Sequence, residues 1–199
     1  MPEPTTLRAL AGLPASPASL ADSTLVMIDC QNTYTRGVMA LDGVGDAIDE
    51  AAALLQRARA AGIPIVHIQH DDGEGSLYDI RAEIGQIVDR VAPEADETVI
   101  VKQFPNAFVH TELDDRLKAL SARNLLIAGF MTHMCVNSTA RGAFNLGYHP
   151  TVVASATATR ELPGTDGIAV PARAVQAASL AAISDLFGVV ARGPDDIPE

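Results

Sequence analysis

The feature that most constrains the fold is an alternation of short, continuously apolar runs with longer segments of helical periodicity. The apolar runs that predict strands lie at residues 24–28, 63–69, 98–101, 124–130, 149–156 and 187–191. Between the first two runs, apolar residues recur at three- and four-residue spacing from Val44 to Ala58, which predicts a helix that ends at Gly62. Strands that are apolar on both faces and alternate with helices are typical of a parallel sheet covered on both sides. The sequence therefore predicts an α/β fold, a single three-layer α/β/α domain with a six-stranded, mostly parallel sheet.

Further helices are predicted from the same periodicity. They cover residues 113–120, with Thr111 as a candidate cap, 134–146 and 172–186. The segment from Tyr78 to Val91 carries apolar residues at mixed spacing, and it is either helical or an irregular lid. Residues 1–23 are rich in Pro, Ala and Ser and predict an N-terminal arm that packs on the domain or on a neighbouring subunit. The domain itself is expected to span residues 24–199.

Composition and charge exclude several classes of protein. A chain of 199 residues with 48% hydrophobic content can bury a sizeable core without disulfides. Its net charge of −11 argues against binding to nucleic acid or to anionic lipid, because both need a basic surface. We expect no secretion signal, since the N-terminal segment lacks a basic region followed by a continuous apolar one. We expect no membrane span, since no stretch approaches about eighteen apolar residues. Two cysteines make no disulfide framework, and a reducing cytoplasm is the expected location.

A cysteine follows the fourth predicted strand. Cys135 stands five residues beyond Phe130, where a new helix is expected to begin. The first N–H groups of a helix are unpaired and its dipole is positive there, so we expect a lowered pKa for this thiol and a reactive thiolate. The alternative is that Cys135 is a small residue packed at a helix start, because cysteine also behaves as a hydrophobe.

Two charged residues follow the first and third predicted strands. Asp29 ends the first apolar run and Lys102 ends the third. The chain has two lysines, Lys102 and Lys118, against twelve arginines, so a lysine at this point is notable. Taken singly, Asp29 could cap a helix and Lys102 could be an edge charge. Because ligands of parallel sheets bind beyond the carboxyl ends of the strands, an acid, a cation and a thiol at three such ends predict a reactive site.

These residues carry a resemblance to a known family. The segments LVMIDCQNTY around Asp29, VKQFPNAF around Lys102 and GFMTHMCVNSTARGAFNLGY around Cys135 resemble the isochorismatase-like cysteine hydrolases, which include nicotinamidase, N-carbamoylsarcosine amidase and streptothricin hydrolase. The resemblance runs from about residue 24 to residue 190. It implies a catalytic triad of Asp29, Lys102 and Cys135, and a sheet with strand order 3-2-1-4-5-6. The family often has Ser-Ala-Phe where this chain has Asn106, Ala107 and Phe108.

The resemblance also implies how an oxyanion is stabilised. It assigns this role to the backbone N–H groups of Met131 and Cys135, brought together by a cis peptide bond between Phe130 and Met131. Candidate pocket residues follow the strand ends, although each could equally be a packing residue: they are Gln31, Tyr34, Phe104, Phe108 and Thr132.

The function implied is hydrolysis of an amide, ureide or lactam C–N bond in a small molecule, through a thioester on the cysteine. Two alternatives stay open. True isochorismatases in this superfamily cleave a vinyl ether and need no nucleophilic thiol, and a protein with a silent site could act as a binding or assembly module. The resemblance also implies a homo-oligomer, either a dimer or a tetramer.

No cofactor or metal is expected. A dinucleotide site needs glycines after the first strand, but this turn reads DCQNTYTRG, and the chain has no P-loop pattern. His67 and His70 are three residues apart in a predicted strand, so their side chains leave on opposite faces and cannot easily share an ion. We interpret His67 as a core residue and His70 as a residue that lines the cleft or lies at its edge. His133, beside the nucleophile, either hydrogen-bonds a substrate or faces solvent.

Overall fold

The computed structural model describes residues 4–94 and 96–199. Its strands are β1 (Ser23–Ile28), β2 (Ile65–His70), β3 (Thr98–Lys102), β4 (Asn124–Phe130), β5 (His149–Ala158), β6 (Leu162–Pro163), β7 (Ala169–Val170) and β8 (Val189–Ala191). Its α-helices are α1 (Leu7–Leu10), α2 (Val44–Ala61), α3 (Leu113–Ala119), α4 (Asn137–Asn145) and α5 (Ala172–Ala182). Each predicted strand and each predicted helix is present, with boundaries that differ by a few residues.

Six strands form one sheet in the order β3-β2-β1-β4-β5-β8, and every neighbouring pair is parallel. The predicted fold class and strand order are confirmed, since β8 is the sixth strand of this sheet. The short strands β6 and β7 pair separately as an antiparallel hairpin that the sequence analysis missed. The direction of winding changes between β1 and β4, which lie side by side. The carboxyl ends of these two strands therefore border the crevice in which ligands of such sheets bind.

The sheet divides the core into two apolar layers. Along β1, Leu25 and Met27 pack in the layer that contains Leu54 and Leu55 of α2. Val26 and Ile28, which point to the other side, pack in the layer that contains residues of α3 and α4. All six residues of β1 are buried. A strand covered on both faces explains why the residues from Leu25 to Ile28 are continuously apolar instead of alternating.

Two helices differ from the predicted ones in their local geometry. The helical segment after β4 begins with a π-helical turn, Thr132–Val136, which runs into α4. A second π-helical turn, Ile183–Phe187, continues α5. For residues 78–91 the sequence left two possibilities, a helix or an irregular segment, and the irregular one is correct. This segment holds two short 3-10 turns, at Glu83–Gly85 and Asp89–Val91, and no α-helix. π-helical turns interrupt α-helices often at functional sites, and the first of these two contains Cys135.

Strands β1 and β4 approach each other closely at Gly129. This residue pairs with Ile28 and has a φ of 116°, a conformation that side chains disfavour. A Cβ atom at this position would lie 1.9 Å from the Ile28 carbonyl oxygen. Only glycine fits here, and its absence of a side chain allows the two strand ends to lie together directly before Asp29.

The segment before β1 packs against the C-terminal part of the chain. The buried Arg8 of α1 donates hydrogen bonds to the carbonyl oxygens of Pro14, at 2.6 Å, and Leu186, at 3.1 Å. The N–H of Leu20 donates to the Pro198 carbonyl at 2.7 Å. These contacts lie within one chain, whereas the division into an arm of residues 1–23 and a domain of residues 24–199 stays a prediction. Across the described ranges, no helix has the length and apolar character needed to cross a membrane.

Candidate active site

Three side chains from three strand ends meet beyond the carboxyl edge of the sheet. Asp29 follows β1, Lys102 is the last residue of β3, and Cys135 lies in the π-helical turn after β4. Lys102 Nζ lies 2.7 Å from Asp29 Oδ2 and 3.4 Å from Cys135 Sγ. All three residues are buried, at 0%, 1% and 5% exposure for Asp29, Lys102 and Cys135. The structure therefore brings the predicted triad residues together in one desolvated cluster.

The backbone of Asp29 turns sharply at the end of β1. Its φ of 47° lies in the left-handed region, which aspartate tolerates better than most residues. Its N–H still donates to the Ile68 carbonyl of β2 at 2.9 Å. Neither carboxylate oxygen has a well-aligned hydrogen-bond donor among the described residues, so the Lys102 contact is an ion pair. The carboxylate therefore keeps the capacity to accept a proton.

Burial and neighbouring charges set the ionisation of the cluster. Burial raises the pKa of Asp29, and the nearby Lys102 ammonium offsets only part of this effect. Burial alone would lower the pKa of Lys102, but the Asp29 charge, followed by the contacts with Asp29 and Cys135, outweighs burial and raises that pKa. The resting site thus holds the ammonium form of Lys102 at neutral pH.

The predicted lowering of the Cys135 pKa is wrong. Burial, followed by the negative charge of Asp29, raises the pKa of this thiol to about 12, although Lys102 acts in the opposite direction. A helix start favours a thiolate only when the thiol stays solvated or meets net positive charge. Here the thiol is buried beside a carboxylate, so the resting enzyme carries a neutral thiol. Among the charged groups that shift the pKa of this thiol, Asp29 is the one that can accept its proton.

A histidine that the sequence analysis expected to line or edge the cleft contacts the lysine directly. His70 Nδ1 lies 2.9 Å from Lys102 Nζ, and His70 Nε2 lies 2.9 Å from Asp72 Oδ1. His70 and Lys102 are paired residues of the neighbouring strands β2 and β3. Register between strands decides this contact, which explains why no local sequence pattern predicted it. His67 is buried on the same strand and bonds Glu97 at 2.8 Å, as a core histidine.

The turn around Cys135 is tied to the end of β5. The peptide between Phe130 and Met131 is cis, which confirms that prediction. Thr132 is fully buried and donates from Oγ1 to the Ala158 carbonyl at 3.0 Å. The half-buried His133 places Nδ1 2.5 Å from Thr159 Oγ1, so its bond is to the protein. The convergence of the Met131 and Cys135 N–H groups on one oxyanion stays a prediction.

Two predicted pocket residues are buried beside the triad with their polar atoms engaged. Gln31 donates from Nε2 to the carbonyl oxygens of His70 and Gly85, and its Oε1 accepts the His70 N–H. The Tyr34 hydroxyl lies 3.3 Å from that of Tyr78. Burial, and then the negative charge of Asp29, raise the pKa of the Tyr34 hydroxyl. Both side chains organise the walls of the site, and their contact with substrate stays a prediction.

The two predicted pocket phenylalanines lie in different places. Phe104 is 45% exposed and its ring packs near His110, beyond the end of β3. Phe108 stacks on Tyr148, which precedes β5 at the opposite edge of the sheet. This placement gives no support for a pocket role of Phe108. The preceding Asn106 accepts the Phe108 N–H and packs against Gly142 of α4, so it has a structural contact.

Arg160 directly follows Ala158 and Thr159, the two residues that anchor the turn around Cys135. Its Nε is buried and has no hydrogen-bond partner among the described residues. Its charge, together with burial as the larger cause, lowers the pKa of His133. A half-buried cation at this edge was not a candidate in the sequence analysis. Over the described residues, no three His, Cys, Asp or Glu side chains are grouped closely enough to hold a metal ion.

Comparison with known proteins agrees with this arrangement. The family model described as an isochorismatase domain matches residues 23–194, which is most of the chain. The chain belongs to the isochorismatase family. A crystal structure of an isochorismatase from Pseudomonas putida KT2440 superimposes with a TM-score of 0.94 and 36% identity, over 98% of this chain and 100% of that one. The fold and the family membership predicted from the three motifs are confirmed.

Relatives of this isochorismatase-family hydrolase carry several names. A secreted isochorismatase effector, Isc1, of Verticillium dahliae is 33% identical over 96% of this chain and 98% of its own length. A streptothricin hydrolase of Streptomyces noursei is 31% identical over 84% of this chain and 62% of its own length. A ureidoacrylate amidohydrolase of Stutzerimonas stutzeri is 30% identical over 73% of this chain and 75% of its own length.

Proposed function

We propose that this isochorismatase-family hydrolase cleaves an amide, ureide or lactam C–N bond of a small molecule through a thioester on Cys135. The observation that carries the proposal is the contact of Lys102 Nζ with both Asp29 and Cys135 in a buried cluster. Relatives named as an amidohydrolase and as a streptothricin hydrolase support this class of substrate. A silent site would have no need to keep acid, cation and thiol in contact.

The first step uses Asp29 as the general base. Because its pKa is raised by burial, its carboxylate is a stronger base than an exposed one, which suits removal of a proton from a neutral thiol. As the proton moves from Cys135 Sγ to Asp29, the sulfur attacks the substrate carbonyl carbon and the carbonyl π electrons move to the oxygen. The Lys102 ammonium stabilises the negative charge on sulfur before the bond forms.

The developing oxyanion needs donors that are already in place. We assign this role to the N–H groups of Met131 and Cys135. When the tetrahedral intermediate collapses, Asp29 returns its proton to the leaving nitrogen, the C–N bond breaks, and a thioester remains on Cys135. Asp29 then accepts a proton from water, which attacks the thioester and releases a carboxylic acid and the thiol. The net reaction consumes one water and yields an acid and an amine or ammonia.

Two properties of the working protein stay predictions. We expect a dimer or a tetramer, as the resemblance implies, and a cytoplasmic location, as the two free cysteines indicate. One relative is named as a secreted effector, so location must be measured by fractionation.

The test is a screen of the purified protein for ammonia and carboxylic acid release from primary amides, ureides and lactams. On any substrate found, we expect Cys135→Ala to lower kcat at least about a thousandfold, because groups that act as a unit fail together. The matched control is Cys30→Ala, which removes the other buried cysteine from the core layer that contains α2. If Cys135→Ala kept more than about a tenth of the activity, the thioester route would be wrong and vinyl ether hydrolysis would be favoured. If the protein turned over neither class, it would be a binding module.

A further inference from the structure

The Lys102 ammonium has three partners and three hydrogens. Its Nζ lies 2.7 Å from Asp29 Oδ2, 2.9 Å from His70 Nδ1 and 3.4 Å from Cys135 Sγ. An ammonium donates and cannot accept, so His70 and Cys135 each take one N–H, and the third N–H is left for the side of Asp29, with which the ammonium forms an ion pair. Two partners are reacting groups of the proposed mechanism. His70 is the third, and the mechanism gives it no chemical step.

The contact with Lys102 determines which ring nitrogen of His70 carries hydrogen. Because Nδ1 faces an ammonium, it must be the acceptor with a free lone pair. In a neutral imidazole the hydrogen then sits on Nε2, which lies 2.9 Å from Asp72 Oδ1 and donates to it. A doubly protonated ring would place a donor against the ammonium. Asp72 therefore holds His70 in the one tautomer that can accept from Lys102.

The backbone and ring of His70 are fixed from several sides. Gln31 holds its N–H and its carbonyl in a pair of 2.9 Å hydrogen bonds. The ring of Tyr78 stands edge-on to the His70 ring, with centroids 4.8 Å apart. The side chain of His70 is 11% exposed, whereas that of Asp72 is 49% exposed. The chain of contacts therefore runs from a solvated carboxylate through a fixed ring to the buried ammonium.

We propose that His70, oriented by Asp72, is a positioning residue that fixes the rotation of the Lys102 ammonium so that its remaining hydrogens meet Asp29 and Cys135. The proposal rests on the proposed function. A neutral acceptor suits this task, because a third charged group would shift the proton equilibrium between the Asp29 carboxylate and the Cys135 thiol. Without His70, one N–H in a buried site loses its partner, and the ammonium turns away from the geometry that the reaction needs.

The kinetic test replaces His70 and compares it with a matched histidine. His70→Leu removes the acceptor at similar volume, and His70→Asn restores an acceptor near the position of Nδ1. We expect His70→Leu to lower kcat about 10- to 100-fold with little change in KM, since misplaced reacting groups cost rates of this order. We expect His70→Asn to recover much of this loss. The control is His67→Asn, which alters another buried histidine of β2 that bonds a carboxylate, and it should leave kcat unchanged.

The second test reads the tautomer directly and does not depend on activity. In protein labelled with ¹⁵N in histidine, two-bond ¹H–¹⁵N spectra at neutral pH should show His70 protonated on Nε2 and bare on Nδ1. Asp72→Asn should weaken this preference and lower kcat, while thermal unfolding stays close to that of the parent protein. The positioning role would be overturned if the His70 ring were protonated on Nδ1, or if the kcat of His70→Leu equalled that of the parent protein. If Cys135→Ala lost activity while His70→Leu kept the kcat of the parent protein, this proposal would be rejected and the proposed function would stand.

Discussion

The Asp29 carboxylate and the Lys102 ammonium lie 2.7 Å apart, and both side chains are completely buried. Burial removes both charges from bulk solvent, so each depends on the other. Removing one partner of a buried pair is costlier than removing both, because the remaining charge is left without compensation. This relationship links the stability of the protein to the same two groups that the proposed reaction uses.

We expect Lys102→Met to lower the free energy of unfolding by about 3–5 kcal/mol and to abolish turnover. The double variant Asp29→Asn with Lys102→Met should recover most of the stability and none of the activity. Urea unfolding at pH 7 measures the stability of both variants. The matched control is Lys118→Met, since the other lysine pairs with Asp114 on an exposed helix surface and should contribute less than about 1 kcal/mol. If Lys102→Met and Lys118→Met lowered the free energy of unfolding equally, burial of the charge pair would not be the cause of the loss.

Alkylation of Cys135 should respond to Asp29 in the direction opposite to activity. In a Cys30→Ala background, we expect iodoacetamide to react slowly at pH 7, because burial and Asp29 raise the pKa of this thiol to about 12. Asp29→Asn removes the negative charge and leaves the Lys102 ammonium beside the sulfur. Its alkylation at pH 7 should therefore be faster than that of the parent, although its turnover is lost. Mass spectrometry of the modified peptide measures the rate. Slower alkylation in this variant would show that Asp29 acts on the resting thiol more as a base than through its negative charge.

Gly129→Ala should destabilise the protein by more than about 4 kcal/mol, because the new Cβ would meet the Ile28 carbonyl oxygen at 1.9 Å. Gly147→Ala is the matched control. Gly147 has a positive φ of 90°, and a Cβ added there would meet nothing within 4 Å, so only backbone strain of about 1–2 kcal/mol is expected. Chemical unfolding or the yield of folded protein distinguishes the two. If both variants lost similar stability, backbone strain, and not the close approach of β1 and β4, would explain why position 129 requires glycine.

Stability at acid pH should depend on Glu97. Hydrogen bonding from Arg59 is the first cause that lowers the pKa of Glu97 to about 2, from 4.5. A carboxyl with a lowered pKa stabilises the folded state above pH 4.5, and this contribution is lost as the pH falls through about 2. Glu97→Gln should therefore be less stable than the parent at pH 7, and the difference should shrink towards pH 2.

The control for this pH dependence is Glu94→Gln. Glu94 also pairs with Arg59, at 3.4 Å, but its side chain is 64% exposed. Its replacement should change the unfolding free energy little at any pH. Thermal or urea unfolding at about pH 7, 4 and 2.5 gives the comparison, and a difference between Glu97→Gln and parent that grows towards acid pH would reject the assignment.

Much of the fold and of the triad was predictable because each signal is local. Apolar runs that are buried on both faces predicted the strands of the sheet, and their last residues predicted that Asp29, Lys102 and Cys135 would lie at one edge. The resemblance carried by three short motifs supplied the strand order and the cis peptide after Phe130. Phe108 was harder to place, because an apolar side chain near a strand end can turn towards the site or towards the core.

The sequence by itself determined which segments are buried, and therefore the architecture and the edge at which charged groups collect. Only the tertiary structure decided how those groups ionise and which others they meet. The thiol of Cys135 sits at a helix start that should favour a thiolate, yet desolvation and Asp29 raise its pKa instead. His70 meets Lys102 because the register of β2 and β3 makes them neighbours. Desolvation and charge interactions depend on distances in space, and residues far apart in the chain set those distances.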